Sequence, residues 1–139
     1  MSALATIKLA QIKDAAMAVA AMQRMNPASA SHIKQNATRR GFAAYREQHA
    51  AVVLGREFFS GVEDVGLVKD GDCYTMQYDA DDRQRLANVF GCGTMSFSDL
   101  FTQYYTAVTA ENDLKNKGYS TSLEKQPNGE LRIRAMSWA

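Results

Sequence analysis

The sequence predicts an α+β protein: a mainly antiparallel sheet with two long helices on one face, in the order β-α-β-β-β-α-β-β, a variant of the ferredoxin-like sandwich. Three observations carry this. Two glycine-containing turn signals, Asp70-Gly71 and Asn128-Gly129, each lie between alternating apolar runs. Ala15 to Met25 and the stretch after Ser96 place apolar residues at helical spacing. The chain of 139 residues has an apolar share of 46%, which suits one domain over 1–139 with a real hydrophobic core. A polar loop is expected at about 26–41.

Taken in order, Thr6-Ile7-Lys8-Leu9 alternates and reads as a first strand. Asp14 can cap a helix over Ala15 to Met25, which holds no Gly or Pro. Ala15, Ala18, Val19 and Met22 form its apolar stripe, widened by Met17 and Ala21. Asn26-Pro27 stops it. Residues 42–54 fit a helix or a strand, and a buried strand is placed at 50–54. Phe58 and Phe59 are expected to cover the core.

Asp64 to Tyr78 reads as the central hairpin. With Asp70-Gly71 as a type I′ tip, Val68 faces Cys73, Leu67 faces Tyr74 and Val65 faces Met76. Val65, Leu67, Tyr74, Met76 and Tyr78 then share one face. Asp79-Ala80-Asp81-Asp82 reads as a solvated turn or the cap of a short helix, Arg83 to Val89. The second long helix starts at Ser96 or Ser98, carries Phe101, Tyr104, Tyr105, Val108 and Leu114 on one stripe, and ends at Gly118. A closing hairpin turns at Gln126-Pro127-Asn128-Gly129, with Gly129 in the left-handed slot of a bulge. That turn pairs Leu123 with Ile133 and Glu124 with Arg132. Tyr119, Leu123, Leu131, Ile133 and Ala135 form its inner face, and Trp138 is expected to anchor the terminus.

Net charge is +1, unevenly placed. Residues 1–56 hold eight Lys/Arg against two acids, +6; residues 57–82 hold one Lys against eight acids, −7; residues 83–139 hold seven bases against five acids, +2. Such asymmetry can steer association, or it can describe solvated faces that fold up interspersed. No apolar run approaches the roughly 20 residues of a membrane span. Met1 to Ile12 carries no basic region before an apolar core, so no secretory signal is expected. Cys73 and Cys92 form no C-x-x-C and read as free thiols of a cytoplasmic protein, bacterial or in a phage-infected host. Neither His32 nor His49 stands at ligand spacing from them, so no metal site is expected.

Lys34, Arg39, Arg40 and Arg46 occur with no acid until Glu47, with Phe42 and Tyr45 among them. Bases contact phosphate and aromatics can stack on nucleobases, so Lys34, Arg39, Arg40, Phe42, Tyr45 and Arg46 form a candidate single-stranded nucleic-acid segment. A loop leading into the core explains the same residues. For chemistry, Tyr74, Cys92, Asp81 and His49 are the groups available to a small enzyme or ligand binder. Clustered carboxylates at 79–82 lack the spacing of a calcium loop. No catalytic triad, phosphate-cradling Gly loop or cofactor fingerprint occurs, so no catalytic residue and no cofactor is expected.

Several stretches together resemble an uncharacterised family. They are Thr6-Ile7-Lys8, Ala51-Val52-Val53-Leu54, Gly66 through Tyr74, Gln103-Tyr104-Tyr105, Lys117-Gly118-Tyr119, Asn128-Gly129 and the near-terminal Trp138. The family is a hypothetical open reading frame of red-algal chloroplast and cyanobacterial genomes, a domain of unknown function also found in bacteria and phages. The chain departs from it in a longer 26–41 connection, an apparent insertion at Phe58-Phe59-Ser60-Gly61, and Tyr104-Tyr105 in place of a Tyr-Ala pair. These departures suit a divergent, phage-borne copy. Family members sit near ATPase genes in some genomes, which implies an accessory role with an ATPase as a possible partner. No catalytic residues are established for the family. The expected function is a non-catalytic interaction or regulatory module, acting through a protein partner or self-association and not through a membrane.

Overall fold

A computed structural model describes residues 4–7 and 12–137 of the chain. Its elements are β1 (Leu4–Ile7), α1 (Ala15–Met25), β2 (Ile33–Arg39), β3 (Gln48–Leu54), β4 (Val65–Asp70), β5 (Cys73–Asp79), α2 (Arg83–Val89), α3 (Phe97–Asn116), β6 (Tyr119–Lys125) and β7 (Leu131–Ser137). The α+β class with antiparallel sheets is as the sequence predicts. One sheet has the order β1-β5-β4-β3-β2, a meander extended at β5 by β1; β6 and β7 form a second, two-stranded sheet. Every pairing is antiparallel. Lys8, Leu9 and Trp138 lie outside the described residues.

The helices form where local chemistry favours them. Asp14 Oδ1 accepts from the Ala16 and Met17 amides at the start of α1. Asn26 ends α1 and caps the following short 3₁₀ turn, Pro27–His32. Ser96 Oγ accepts from the Asp99 amide at the start of α3. Gly118, at φ 92°, follows its end. α1 and α3 pack on one face of the large sheet. Ala18, Ala21, Met22, Phe101 and Val108 meet Val52, Leu54, Leu67, Met76 and Tyr78 in the core. Tyr105 Oη accepts from the Lys13 and Asp14 amides, tying the start of α1 to α3.

The central hairpin corrects one expectation. Its tip is Gly71-Asp72, so Asp70 faces Cys73, Leu67 faces Met76 and Gly66 faces Gln77. Gly71 alone of the two turn residues has positive φ, 64°, which is what a type II′ turn requires. The register moves by two residues relative to the expected pairing. Faces repeat every two residues, so Val65, Leu67, Met76 and Tyr78 still point together into the core. Gly71→Val is expected to cost about 1–2 kcal/mol, because a β-branched side chain is strained at that φ although space is open around it. An unchanged melting temperature would remove the turn assignment. In the closing hairpin Leu123 faces Ile133 and Glu124 faces Arg132, as its turn chemistry predicts, with Gly129 at φ 89°.

The expected polar loop at 26–41 is instead a 3₁₀ turn followed by the edge strand β2. A strand this exposed carries no apolar alternation to announce it. Asn36 sits at φ 49° within it, and the ladder skips that position. Such a kink and the neighbouring Lys34 blunt an open sheet edge. Residues 42–49 hold a 3₁₀ turn, Ala44–Arg46, and then β3 begins at Gln48.

β3 pairs with β4 only through Val52, Val53 and Leu54, while it follows β2 from Gln48 to Leu54. The outer end of the β2–β3 ribbon therefore bends back over the second face of β4 and β5. There Gln48 Nε2 donates to Gln77 Oε1, and Arg39 lies across Gly66. A Cβ on Gly66 would stand 2.6 Å from Arg39 Cδ, so only glycine fits beneath this arginine.

Candidate functional site

The bend brings the basic and acidic thirds of the chain together. Arg39, whose side chain is 1% exposed, donates from Nη2 to Glu63 Oε1 at 2.8 Å. Arg46 reaches the same oxygen at 3.1 Å and stands 3.9 Å from Asp79 Oδ2. Glu63 Oε2 accepts from the Phe42 amide at 2.9 Å. Arg40 makes a two-pronged pair with Glu57, both contacts 2.7 Å, and a second pair with buried Asp64 at 2.8 and 2.9 Å. Asp64 also accepts from the Arg40 and Arg56 amides. Asp82 accepts from the Val62 and Glu63 amides and pairs with Arg85 at 2.9 Å.

This network places the nucleic-acid candidates. Arg39, Arg40 and Arg46 are engaged with Glu63, Glu57, Asp64 and Asp79, while Lys34 is exposed on β2. Phe42 and Tyr45 project at the ribbon tip, 43% and 78% exposed, edge to face at 5.8 Å. Arg46 lies over the Phe42 ring at 5.0 Å. The carboxylates of Asp79 and Asp82 are buried, which corrects the expected solvated turn, and Asp82 makes no side-chain cap on α2; Asp79 holds the Asp81 amide. Sequence spacing could not show the pairing, since Arg39 and Glu63 lie 24 residues apart.

The arginines set the acid response. The Arg40 guanidinium holds the Glu57 carboxyl down at about 2 from an ordinary 4.5. Burial alone would raise Glu63, but the Phe42 amide and Arg39 outweigh it and its carboxyl is also lowered. A carboxyl depressed in the fold contributes stability above its unfolded value and loses it as pH falls through the folded one. Melting temperature should therefore fall as pH drops below the ordinary carboxyl value of 4.5. A profile flat below that value would contradict the network. Glu57 is solvent-exposed, so Glu63 carries most of the effect and added salt should change it little.

The four groups available for chemistry stand on different elements. Tyr74 is half-buried on β5, Asp81 follows β5, His49 is exposed on β3, and Cys92 lies between α2 and α3. Cys92 is buried, and burial pushes its thiol above the ordinary value, the opposite of an activated nucleophile. Cys73 and Cys92 are not joined in a disulfide. Among the described residues no three His, Cys, Asp or Glu side chains cluster as a metal site, and no helix is long and apolar enough to cross a membrane.

A groove of about 480 Å³ opens between α3 and β7. Thr102, Gln103, Thr106, Ala107 and Ala110 form one wall; Glu130, Leu131 and Ile133 form the other. Residues 102, 106 and 110 are one helical turn apart, as are 103 and 107, so small side chains line one face of α3. Gln103 Oε1 is buried there without a hydrogen-bond partner. Glu111, further along α3, is 3% exposed and holds the hairpin and α1 in place, accepting from Arg24 at 2.6 Å and Thr121 at 3.0 Å. A second hollow, about 610 Å³, lies over β2 and β3, where Arg40 is paired with both Glu57 and Asp64.

Fold and site together define a small α+β protein with a two-layer core, an internal ion-pair network and an apolar groove beside a hairpin that forms its own two-stranded sheet. No protein-family model, curated protein or solved structure matches the chain.

Proposed function

We propose that the protein is a non-catalytic interaction module with an accessory or regulatory role, and that it engages a protein partner at the groove between α3 and β7. The observation that carries this reading is the groove itself: an open, largely apolar wall pair ending on a buried, unpartnered Gln103 oxygen. Exposed apolar surfaces rimmed by polar residues mark interaction sites. The charged groups at the middle of the chain support the reading, because they are engaged in holding the ribbon over the sheet. The family resemblance adds an ATPase as a partner class, and a second copy is the alternative. Two cysteines outside any disulfide fit a reducing cytoplasm.

Affinity capture from host lysate, with and without nuclease, tests it. Thr106→Trp fills the groove from an exposed position on α3. A protein partner that survives nuclease and is lost with Thr106→Trp is the expected result. Recovery that ignores Thr106→Trp would overturn the groove.

A second reading, single-stranded nucleic-acid binding, is favoured by the exposed Phe42 and Tyr45 pair beside Arg46. With Arg39 and Arg40 engaged internally, few phosphates would be neutralised, so affinity would fall only weakly with salt. Nuclease-sensitive recovery lost in Tyr45→Ala would select this reading.

A further inference from the structure

We infer that the occupant of the groove is an extended segment of a partner protein, alternating apolar and acidic residues, that adds to β7 as a third strand. This rests on the interaction-module reading and names its partner class.

Three observations converge. The first is the strand edge. Among the described residues β7 pairs only with β6. The Gln126 amide donates to the Glu130 carbonyl, and antiparallel pairs alternate between bonded and non-bonded. Glu124–Arg132 and Ser122–Arg134 are then the bonded pairs, and Leu131, Ile133 and Ala135 turn their N–H and C=O groups away from β6. A two-stranded sheet leaves this row open to an incoming backbone, the geometry of strand addition.

The second is the groove. Leu131 and Ile133 line it with their side chains, so the same residues that offer backbone partners also face the apolar space. A strand laid along β7 would point every second side chain into it, against Thr106, Ala107 and Ala110. The small side chains of α3 leave room for those residues, and Gln103 Oε1 can accept a hydrogen bond from the segment.

The third is charge. Arg132 and Arg134 alternate with the groove residues and so stand on the outer face, both exposed. Arg134 is 63% exposed and reaches Glu124 only at 3.5 Å. A third strand would set its outward residues beside these two arginines, where acids are favoured and bases are not.

The test uses the full chain and a capped peptide of alternating Val and Glu, as long as the seven residues of β7. The expected result is saturable binding with slowed hydrogen exchange at the Leu131 and Ile133 amides. Methylating the peptide nitrogens that face β7 should weaken binding roughly tenfold or more. Replacing Glu by Lys in the peptide should weaken it about tenfold, and Arg132→Glu with Arg134→Glu should reverse that preference. Equal binding of the methylated peptide overturns strand addition. So does no binding at millimolar peptide, or protection of the same amides by self-association without peptide. Lysate capture that is lost with Thr106→Trp while the peptide fails would reject the strand and keep the interaction module. Capture insensitive to Thr106→Trp would reject the groove, and the strand with it.

Discussion

Arg39→Met is expected to melt well below the parent protein, by on the order of 10–20 °C, the equivalent of about 3–5 kcal/mol. Methionine keeps much of the aliphatic stem that crosses Gly66 but removes the guanidinium. Glu63, with a side chain 0% exposed, then keeps only Arg46 at 3.1 Å and the Phe42 amide. Two backbone carbonyls, Gln77 and Arg46, lose weaker contacts at 3.4 and 3.5 Å. The large term is the buried carboxylate left short of countercharge, since removing one partner of a buried pair costs far more than removing both. The double variant Arg39→Met, Glu63→Gln should therefore be more stable than Arg39→Met alone. The glutamine keeps an acceptor for Phe42. Chemical denaturation of the parent, the single and the double variants measures this. A single variant within about 1 kcal/mol of the parent would mean that water replaces the guanidinium freely.

Phe101→Ala is expected to lose about 3–5 kcal/mol through a different cause. Phe101 is 0% exposed in the second turn of α3. Its ring stacks on Tyr105 at 6.0 Å and lies 6.4 Å from Phe97, which continues the row to Phe90 at 5.2 Å and Tyr78 at 5.8 Å. Truncation leaves a cavity that a packed core closes only in part. Tyr105 loses its stacking neighbour while its hydroxyl still holds the Lys13 and Asp14 amides. Faster hydrogen exchange at the start of α1 should accompany the lower stability. Phe101→Leu should lose less, because more of the volume stays filled. The cavity loss should not depend on pH, whereas the Arg39→Met loss shrinks in acid as Glu63 protonates. That contrast separates packing from charge.

The residues that form elements by local chemistry were legible before folding. Asp14 followed by an Ala- and Met-rich run defines α1, Arg83 to Val89 defines α2, and Pro127-Asn128-Gly129 defines both the turn and the register of the closing hairpin. Each depends on caps, spacing or allowed φ within a few residues. The inward face of the central hairpin was legible for the same reason, because a two-residue shift at Gly71 leaves alternation intact. Of the groove, the sequence showed Leu131 and Ile133 on one face of the hairpin, but not the wall of α3 opposite them. β2 was hidden because an edge strand is held by the ladder of β3 and not by a pattern of its own. Glu111 was hidden because its burial depends on Arg24 and Thr121, from two other elements. The charged segments give the sharpest case. Their signs and counts stand in the sequence, yet only the bend of β2 and β3 over Gly66 sets Arg39 and Arg40 against Glu63 and Asp64. Coulomb energy depends on separation and burial in space, and neither is written in the order of the residues.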